Sequence, residues 1–337
     1  MRKTAPRRRP VVAIIDWKAA PQSESGVVVE RRLIGTAADV KYFLCETEND
    51  FTPAVLDADV LIIWHNLAVT AASIARLRHC RAIIRNGVGF DSVDIAAAAR
   101  AGIAVCNVPD YGTEEVADHA IALALALCRQ LFPLDAEAKA LGWNIHVTPR
   151  LRRLRTLTFA IVGLGRIGTA AALRAKALGF DVVFFDPHLP NGVEKAIGVQ
   201  RVRTLPELLR QADVLSLHCP LSAETRHLIA EKELALMKPT SFVVNTARGA
   251  VIKKTAILTA LRKGKLAGAG LDVIEDEPLR TPAEAATPNL IATCHAAFCS
   301  VESKQEMRSI SARIARAAAL GEPLENVVNS HLLVRKA

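Results

Sequence analysis

The chain has 337 residues, of which 51% are hydrophobic and 23% charged, and a formal net charge of +9. That length accommodates two domains, each able to bury its own core, and the composition is that of a globular protein rather than a disordered or fibrous one. No apolar run reaches the roughly 18 to 20 residues that a membrane-spanning helix needs, so no membrane association is expected. The positive excess is local: Arg2, Lys3, Arg7, Arg8 and Arg9 open the chain, and Arg150, Arg152, Arg153 and Arg155 follow in one later segment. A short Arg/Pro tail is normally solvated, so nucleic-acid binding is not expected as a main function. The tail also lacks the apolar stretch of a secretory signal. Seven cysteines, an odd number and mostly inside apolar runs, read as reduced thiols of a cytoplasmic protein. Cys294, His295 and Cys299 lack a second pair at metal spacing, and no metal is expected.

In chain order, VVAIIDW (residues 11 to 17) reads as a buried strand, and further apolar runs follow at VKYFLC, VLIIW, AIIR and IAVCNVP. Helical patterns such as AASIARLRHC and VDIAAAARAG lie between them, and such alternation implies a parallel sheet covered on both faces. The first 111 residues form one α/β unit. A long helix is expected over 112 to 130, with Thr113 as a candidate cap and Glu114 and Glu115 in its first turn. Its face of Ile121, Leu123, Ala124 and Leu127 is apolar enough to serve a second subunit as well as its own domain. Residues 145 to 155 read as an exposed, Arg-rich connection.

FAIVGLGRIGTAAALRAKALGFDVVFFD (159 to 186) is then strand, tight turn, helix and strand. Gly163 allows the turn, Gly165 admits a pyrophosphate close to the backbone, and Gly168 lets helix and strand pack closely, with Arg166 and Ile167 in the same cofactor turn. Asp186, 23 residues after Gly163, stands at the ribose-reading position, and no Lys or Arg at 187 to 189 would neutralise a 2′-phosphate. NAD is therefore expected rather than NADP. Strands continue at DVLSLH, SFVVNTA, GAGLDVI and NLIATC. The expected architecture is two Rossmann-like doubly wound parallel-sheet domains with the active site in the cleft between them. Residues 112 to 297 form the NAD-binding domain. The last helix, about 301 to 320, returns to the first unit, so residues 1 to 111 plus 298 to 337 form a discontinuous substrate domain.

Reduction of a 2-keto acid by NADH requires a cation for the carboxylate, a proton donor for the carbonyl oxygen and a group that tunes that donor. Arg248 follows the apolar strand SFVVNTA, LDVIEDEP supplies Glu277, and ATCHAAF supplies His295 at another strand end. Arg clamps carboxylates bidentately, and a carboxylate beside a His favours the protonated ring. On sequence alone Glu275, Asp276 and Glu277 are equivalent.

At these residues the chain resembles the D-isomer-specific 2-hydroxyacid dehydrogenases. RNGVGFDSVD, VCNVPDYGTEEVADHA, VGLGRIG, VVNTARG, LDVIEDEP and CHAAF occur in that family's order. DPHLPNGVEKAIGVQRV, SLHCPL and HAAF are most similar to its C-terminal-binding-protein branch and bacterial relatives. The resemblance implies Arg248, Glu277 and His295 as the catalytic triad. It implies Asp272 at the nicotinamide carboxamide, and Cys219, Pro220, Thr225, Thr246 and Ala247 along the cofactor. Val88 and Gly89 would offer backbone amides to the substrate carboxylate with Arg85 at the pocket mouth. It also implies a homodimer through residues 112 to 130. Four features depart from the family pattern: Cys294 for the usual Pro, Ala250 for the second Gly of NTARGG, Lys253 and Lys254 for an acidic pair, and Phe298 where corepressors carry Trp. Trp64, Tyr111 and Phe298 are candidates for an apolar pocket wall. The alternative function is an NAD(H)-sensing scaffold for a partner peptide, as in the corepressor relatives.

Overall fold

The computed structural model describes residues 8–19, 21, 26–64, 67–148 and 151–333. Arg2, Lys3, Arg7 and Arg150 lie outside these residues. The chain forms two compact units, one from residues up to Tyr111 together with those from Ser300 onward, the other from Gly112 to Cys299. The second unit thus extends two residues past the expected 297. Phe298 belongs to it because its Cβ packs on Gly112, where an added Cβ would lie 3.4 Å away, and the Cys299 N–H donates to Ala296 O at 2.9 Å.

In the first unit, β1 (Val11–Trp17), β2 (Asp39–Cys45), β3 (Val60–Ile63), β4 (Ala82–Arg85) and β5 (Ala104–Cys106) form a parallel sheet of order β2-β1-β3-β4-β5. Near-continuous apolar strands such as VLII are what a sheet buried on both faces requires. One face packs Val55, Ile74 and Ala98, and the other packs Ile34 with Ala315 and Ala318 of the helix Val301–Leu320. That last helix is tied down by ions as well: Arg308 forks onto Glu30, Nε to Oε1 at 2.8 Å and Nη2 to Oε2 at 2.7 Å. Past it, the buried Asn329 accepts from Val105 N at 2.9 Å and donates to Ile103 O at 3.0 Å, sealing the β5 edge. The helix expected over 71 to 80 stops at Ile74. Its continuation fails because Arg78 N–H donates to Leu56 O, outside any helical ladder.

The second unit holds β6 (Thr158–Val162), β7 (Asp181–Phe185), β8 (Gln200–Arg201), β9 (Val214–Leu217), β10 (Phe242–Asn245), β11 (Gly268–Leu271) and β12 (Leu290–Ala292), all parallel, in the order β12-β11-β10-β9-β6-β7-β8. Counted from β6, the first six strands have the order 3-2-1-4-5-6 of dinucleotide-binding sheets, with the chain reversing direction between β6 and β9, where ligands bind.

Both units solve one problem in the same way. The buried Asp59, just before β3, accepts from Val11 N, Arg8 and Arg81; the buried Asp213, just before β9, accepts from Thr158 N, Arg152 and Lys238. An Arg ahead of the first strand of each sheet thus neutralises a carboxylate at the sheet's amino end. Arg8 and Arg152, expected as solvated charges, are fold elements.

The helix Thr113–Cys128 begins at Gly112, and Thr113 is its first residue, without a side-chain cap bond at the N-cap position. Its face of Ile121, Leu123, Ala124 and Leu127 is buried within its own unit. The reason lies in β11: a Cβ at Gly268 would meet Leu127 Cδ2 at 3.0 Å, and one at Gly270 would meet Leu123 Cβ at 3.0 Å. The glycines of GAGL make room for the leucines, so this face is not available to a second subunit. Among the described residues no single helix is long and apolar enough to cross a membrane; helices Thr113–Cys128 and Leu131–Lys139 pass that test only as a bent pair.

Candidate active site

The glycine turn after β6 is built as the spacing requires. Gly163 has φ +87°, and a Cβ there would lie 2.8 Å from Cys219 N; at Gly168 a Cβ would overlap the Gly163 carbonyl oxygen. Gly165, by contrast, faces open space at the start of helix Arg166–Ala177, whose first amides point outward with the positive end of the helix dipole. Asp186 directly follows β7 and accepts from Leu164 N at 2.9 Å and His188 N at 3.0 Å. These bonds clamp the glycine turn to β7 and leave two of the carboxylate's four acceptor positions for ribose hydroxyls. Sequence reasoning missed Arg201: it stacks over Phe184 at 4.8 Å, pairs with Glu194, and donates to the carbonyl oxygens of Asp186, Leu189 and Pro190. It shapes the turn that carries Asp186, and its charge is spent on Glu194.

The ends of β9 and β10 lie side by side, Leu217 paired with Asn245, so His218 and Thr246 follow on neighbouring strands. Thr246 Oγ1 and His218 Nδ1 are buried polar atoms with no hydrogen-bond partner among the described residues. His218 meets Ser216 Oγ through Nε2 at 2.8 Å, and burial pushes its pKa down to about 4, so it is neutral beneath the glycine turn. Burial raises the neighbouring Cys219 thiol to about 11. Thr225 closes the 220–225 loop, accepting from Ser222 N and donating to Pro220 O. An open cradle at Gly165, outward helix amides, a free acceptor on Asp186 and an orphaned donor at Thr246 fit the ribose and pyrophosphate of a dinucleotide.

The three candidate catalytic residues stand on two loops of this unit. Asn245, fully buried, accepts from Ala247 N and donates to Arg248 O, both at 3.0 Å, setting the turn that carries Arg248 and Ala247. The Arg248 guanidinium donates to Ala247 O at 2.8 Å. Next to it, a Cβ on Gly249 would overlap the Ile274 carbonyl, so the Arg248 loop is pressed against the loop that carries Glu277. His295 Nδ1 lies 2.9 Å from Glu277 Oε2, while Glu277 Oε1 accepts from Ile274 N at 3.3 Å. With Nδ1 directed at the carboxylate, Nε2 is the other ring nitrogen of His295. His295 has φ +54°, a left-handed conformation costing about 1 to 3 kcal/mol that persists only where surroundings impose it.

The surroundings that impose it centre on Asp272. Its buried carboxylate accepts from Thr293 Oγ1 at 2.6 Å, Ala296 N at 2.9 Å and Ala297 N at 2.9 Å, and its carbonyl accepts from His295 N at 2.8 Å. Three of its four acceptor positions are thus spent on the His295 loop.

The three adjacent acids, equivalent in sequence, are sorted by partners. Glu275 accepts from His227 at 2.6 Å, Arg226 at 3.3 Å and Lys254 N at 3.3 Å. Glu277 meets His295, its Oε2 2.9 Å from Nδ1. Lys253 and Lys254, the departures from the family's acidic pair, find Glu231 at 2.8 Å and Glu284 at 3.4 Å. Phe298 packs edge to face on the His295 ring at 6.5 Å between centroids.

In the first unit, Arg85 ends β4, buried, with Nη1 donating to Asn86 O at 3.0 Å. Gly87 has φ +141°, and a Cβ there would overlap the Arg85 guanidinium and lie 3.3 Å from the Tyr111 hydroxyl. Arg85 and Tyr111 are therefore gathered over the turn that presents Val88 and Gly89. Val88 O accepts from Asn107 at 2.7 Å. Trp64 is fully buried in this unit's own core.

A dinucleotide-binding sheet with an arginine, a carboxylate and a carboxylate-bound histidine at its strand ends defines an NAD-binding oxidoreductase. The profile of the D-isomer specific 2-hydroxyacid dehydrogenase NAD-binding domain matches residues 121–297. The chain is 36% identical over 283 residues to a D-3-phosphoglycerate dehydrogenase of Methanocaldococcus jannaschii, covering 84% of this chain and 54% of that one. It is 35% identical over 285 residues to a glyoxylate reductase of Thermococcus litoralis, covering 83% and 86%. The chain therefore belongs to the D-isomer specific 2-hydroxyacid dehydrogenase family, and its cofactor is NAD. Among solved structures, the D-lactate dehydrogenase of Aquifex aeolicus complexed with NAD and lactic acid superimposes with a TM-score of 0.83 at 28% identity, covering 92% of this chain and 96% of that one. The chain spans only about half the length of the phosphoglycerate relative.

Proposed function

We propose that the protein reduces small 2-keto acids to D-2-hydroxy acids with NADH and catalyses the reverse oxidation with NAD. The observation that carries the reading is the His295 Nδ1 to Glu277 Oε2 contact of 2.9 Å, on the loop that Asp272 fixes. Bound NADH supplies the hydride for the carbonyl carbon. His295, held by Glu277, delivers its Nε2 proton to the developing alkoxide, the usual work of a positioned general acid. Arg248 clamps the substrate carboxylate from the turn set by Asn245. The part of the chain before 112 and from 300 on serves as the substrate domain in this reading.

The intact arginine, glutamate and histidine favour an enzyme over a peptide-binding scaffold, although DPHLPNGVEKAIGVQRV and HAAF support a place in the C-terminal-binding-protein-like branch. Seven free cysteines support a reducing, cytoplasmic setting. A homodimer is supported by another surface than the buried helix face: Leu131, Phe132, Leu141, Trp143 and Ile145 are 54% to 97% exposed along one segment, an apolar stretch that isolated chains seldom leave in water. Light scattering from a 36.3 kDa particle at micromolar concentration would contradict the dimer.

The function is tested by a screen of 2-keto acids (glyoxylate, pyruvate, hydroxypyruvate, longer and aromatic ones) with NADH oxidation as the signal. Turnover of at least one acid is expected, with kcat lowered by roughly 10² to 10⁴ in His295→Gln and NADH affinity little changed. Absence of turnover, or full activity in His295→Gln, would overturn the assignment.

A further inference from the structure

A histidine that no part of the catalytic reading uses stands behind the His295 loop. His119 lies on helix Thr113–Cys128, with its side chain 26% exposed, its Nε2 3.0 Å from Thr293 Oγ1 and 3.7 Å from Asp272 Oδ1. The Thr293 hydroxyl has a single proton and directs it to Asp272 Oδ1 at 2.6 Å, a short bond of the charge-assisted kind. Toward His119 the same oxygen can only accept. The His119 Nε2 must therefore carry a hydrogen, and the direction of the chain is set: His119 Nε2–H to Thr293 Oγ1, Thr293 Oγ1–H to Asp272 Oδ1.

Asp272 is the point at which this chain reaches the chemistry. The same Oδ1 accepts from Ala296 N, Oδ2 accepts from Ala297 N, and the Asp272 carbonyl accepts from His295 N. Thr293, Ala296 and Ala297 are thus fastened to one buried carboxylate and His295 to the carbonyl of the same residue, and His295 is held in a left-handed conformation that its own backbone disfavours. Without His119, Thr293 is free to rotate its hydroxyl away, and Asp272 can turn toward the vacated space. Either movement loosens the bonds that aim the His295 ring.

We propose that His119 is a positioning residue, which acts through Thr293 and Asp272 to hold His295 in register with the substrate. This inference rests on the 2-keto acid reductase reading, and its tests are chosen so that the two can fail separately. A misplacement of about 1 Å at a reacting group costs roughly 10²-fold, which sets the scale expected here.

The direct test is kinetic. His119→Leu, which keeps the volume and removes the donor, is expected to lower kcat for the best 2-keto acid by about 10-fold to 100-fold. His119→Gln, which keeps an N–H at the Nε2 position, is expected to recover most of that loss. A role in packing alone would not distinguish the two, because leucine fills the space at least as well as glutamine. Thr293→Val should match His119→Leu, and the double substitution should be no worse than Thr293→Val alone, as required of residues in one chain. The second measurement needs no turnover: long-range 15N–1H spectra of histidine-labelled protein should assign His119 as the Nε2–H tautomer, with that signal moved in Thr293→Val. Wild-type kcat in His119→Leu, equal impairment by Leu and Gln, or an Nδ1–H tautomer would overturn the proposal. Absence of any keto acid turnover in the unmodified protein would overturn the functional reading instead, and the tautomer would still decide the hydrogen-bond chain.

Discussion

Gly249 lies so close to Ile274 that a single added methyl group would overlap the Ile274 carbonyl. This contact is where the loop carrying Arg248 meets the loop carrying Glu277, so the spacing of these two residues depends on a missing side chain. Gly249→Ala is expected to force the loops apart. Overpacking of this kind costs about 1 to 3 kcal/mol, which thermal unfolding would register as a lowered Tm. The displacement should cost on the order of 10² in kcat/KM for the keto acid, while NADH binding, which rests on the β6 turn, should change much less. A Gly249→Ala protein with wild-type kcat/KM would show that the contact does not set the site.

That glycine also marks how far the sequence was legible. The alternation of apolar runs and helical periods located the strands of both sheets except the two-residue β8, and the return of helix Val301–Leu320, because burial on both faces writes itself into consecutive residues. GLGRIG and Asp186 were legible for a similar reason: turn, helix and acid are local in the chain. What eluded the sequence is set by contacts between distant segments. The apolar face of helix Thr113–Cys128 looks available for a partner until Gly268 and Gly270 on β11 are seen to receive its leucines. Glu275 and Glu277 differ only in that one meets His227 and the other His295. Arg8 and Arg152 read as surplus charge because their carboxylates, Asp59 and Asp213, lie 51 and 61 residues away.

Cofactor preference should follow Asp186. A second negative charge about 4 Å from a carboxylate costs about 1 kcal/mol in bulk water and about 4 kcal/mol at the effective dielectric of a protein surface. NADH should therefore bind at least about fivefold more tightly than NADPH, since about 1.4 kcal/mol corresponds to tenfold. Asp186→Ala should narrow the gap and also weaken NADH, because the carboxylate holds the Leu164 and His188 amides of the turn. Titration of both cofactors by fluorescence checks this, and equal affinities in the unmodified protein would refute it.

The cysteines should separate into two reactivity classes. Burial pushes the thiols of Cys80, Cys106 and Cys128 up to about 12 and that of Cys219 to about 11, with Cys45 raised as well, so each stays protonated and shielded near pH 8. Cys294 and Cys299 are exposed. Iodoacetamide on the folded protein should modify these two first, as read by peptide mass spectrometry. Because Cys294 adjoins His295, the modification should abolish keto acid reduction, and Cys294→Ser should be protected from most of that loss. Early labelling of Cys106 or Cys128 in folded protein would contradict the burial on which the argument stands.

The last prediction concerns alkaline stability and rests on Tyr42, one of two tyrosines in the chain. Its hydroxyl donates to Asp16 Oδ2 at 3.1 Å. Burial first, and then the charge and hydrogen bond of Asp16, raise its pKa from 10.0 to about 12, with the nearby Arg308 opposing the shift. The unfolded chain would release this proton near 10, so the folded state holds it more tightly. The stabilisation is present in full below pH 10 and is lost as pH rises from 10 to about 12. Phenolate absorbance should accordingly show Tyr42 still protonated above pH 11 in folded protein, and Tyr42→Phe should remove that late step. The same substitution should flatten the fall of Tm between pH 10 and pH 12, because the group whose ionisation drives it is gone. Two tyrosines titrating together near pH 10 while the fold persists would show that the Asp16 contact does not hold the proton.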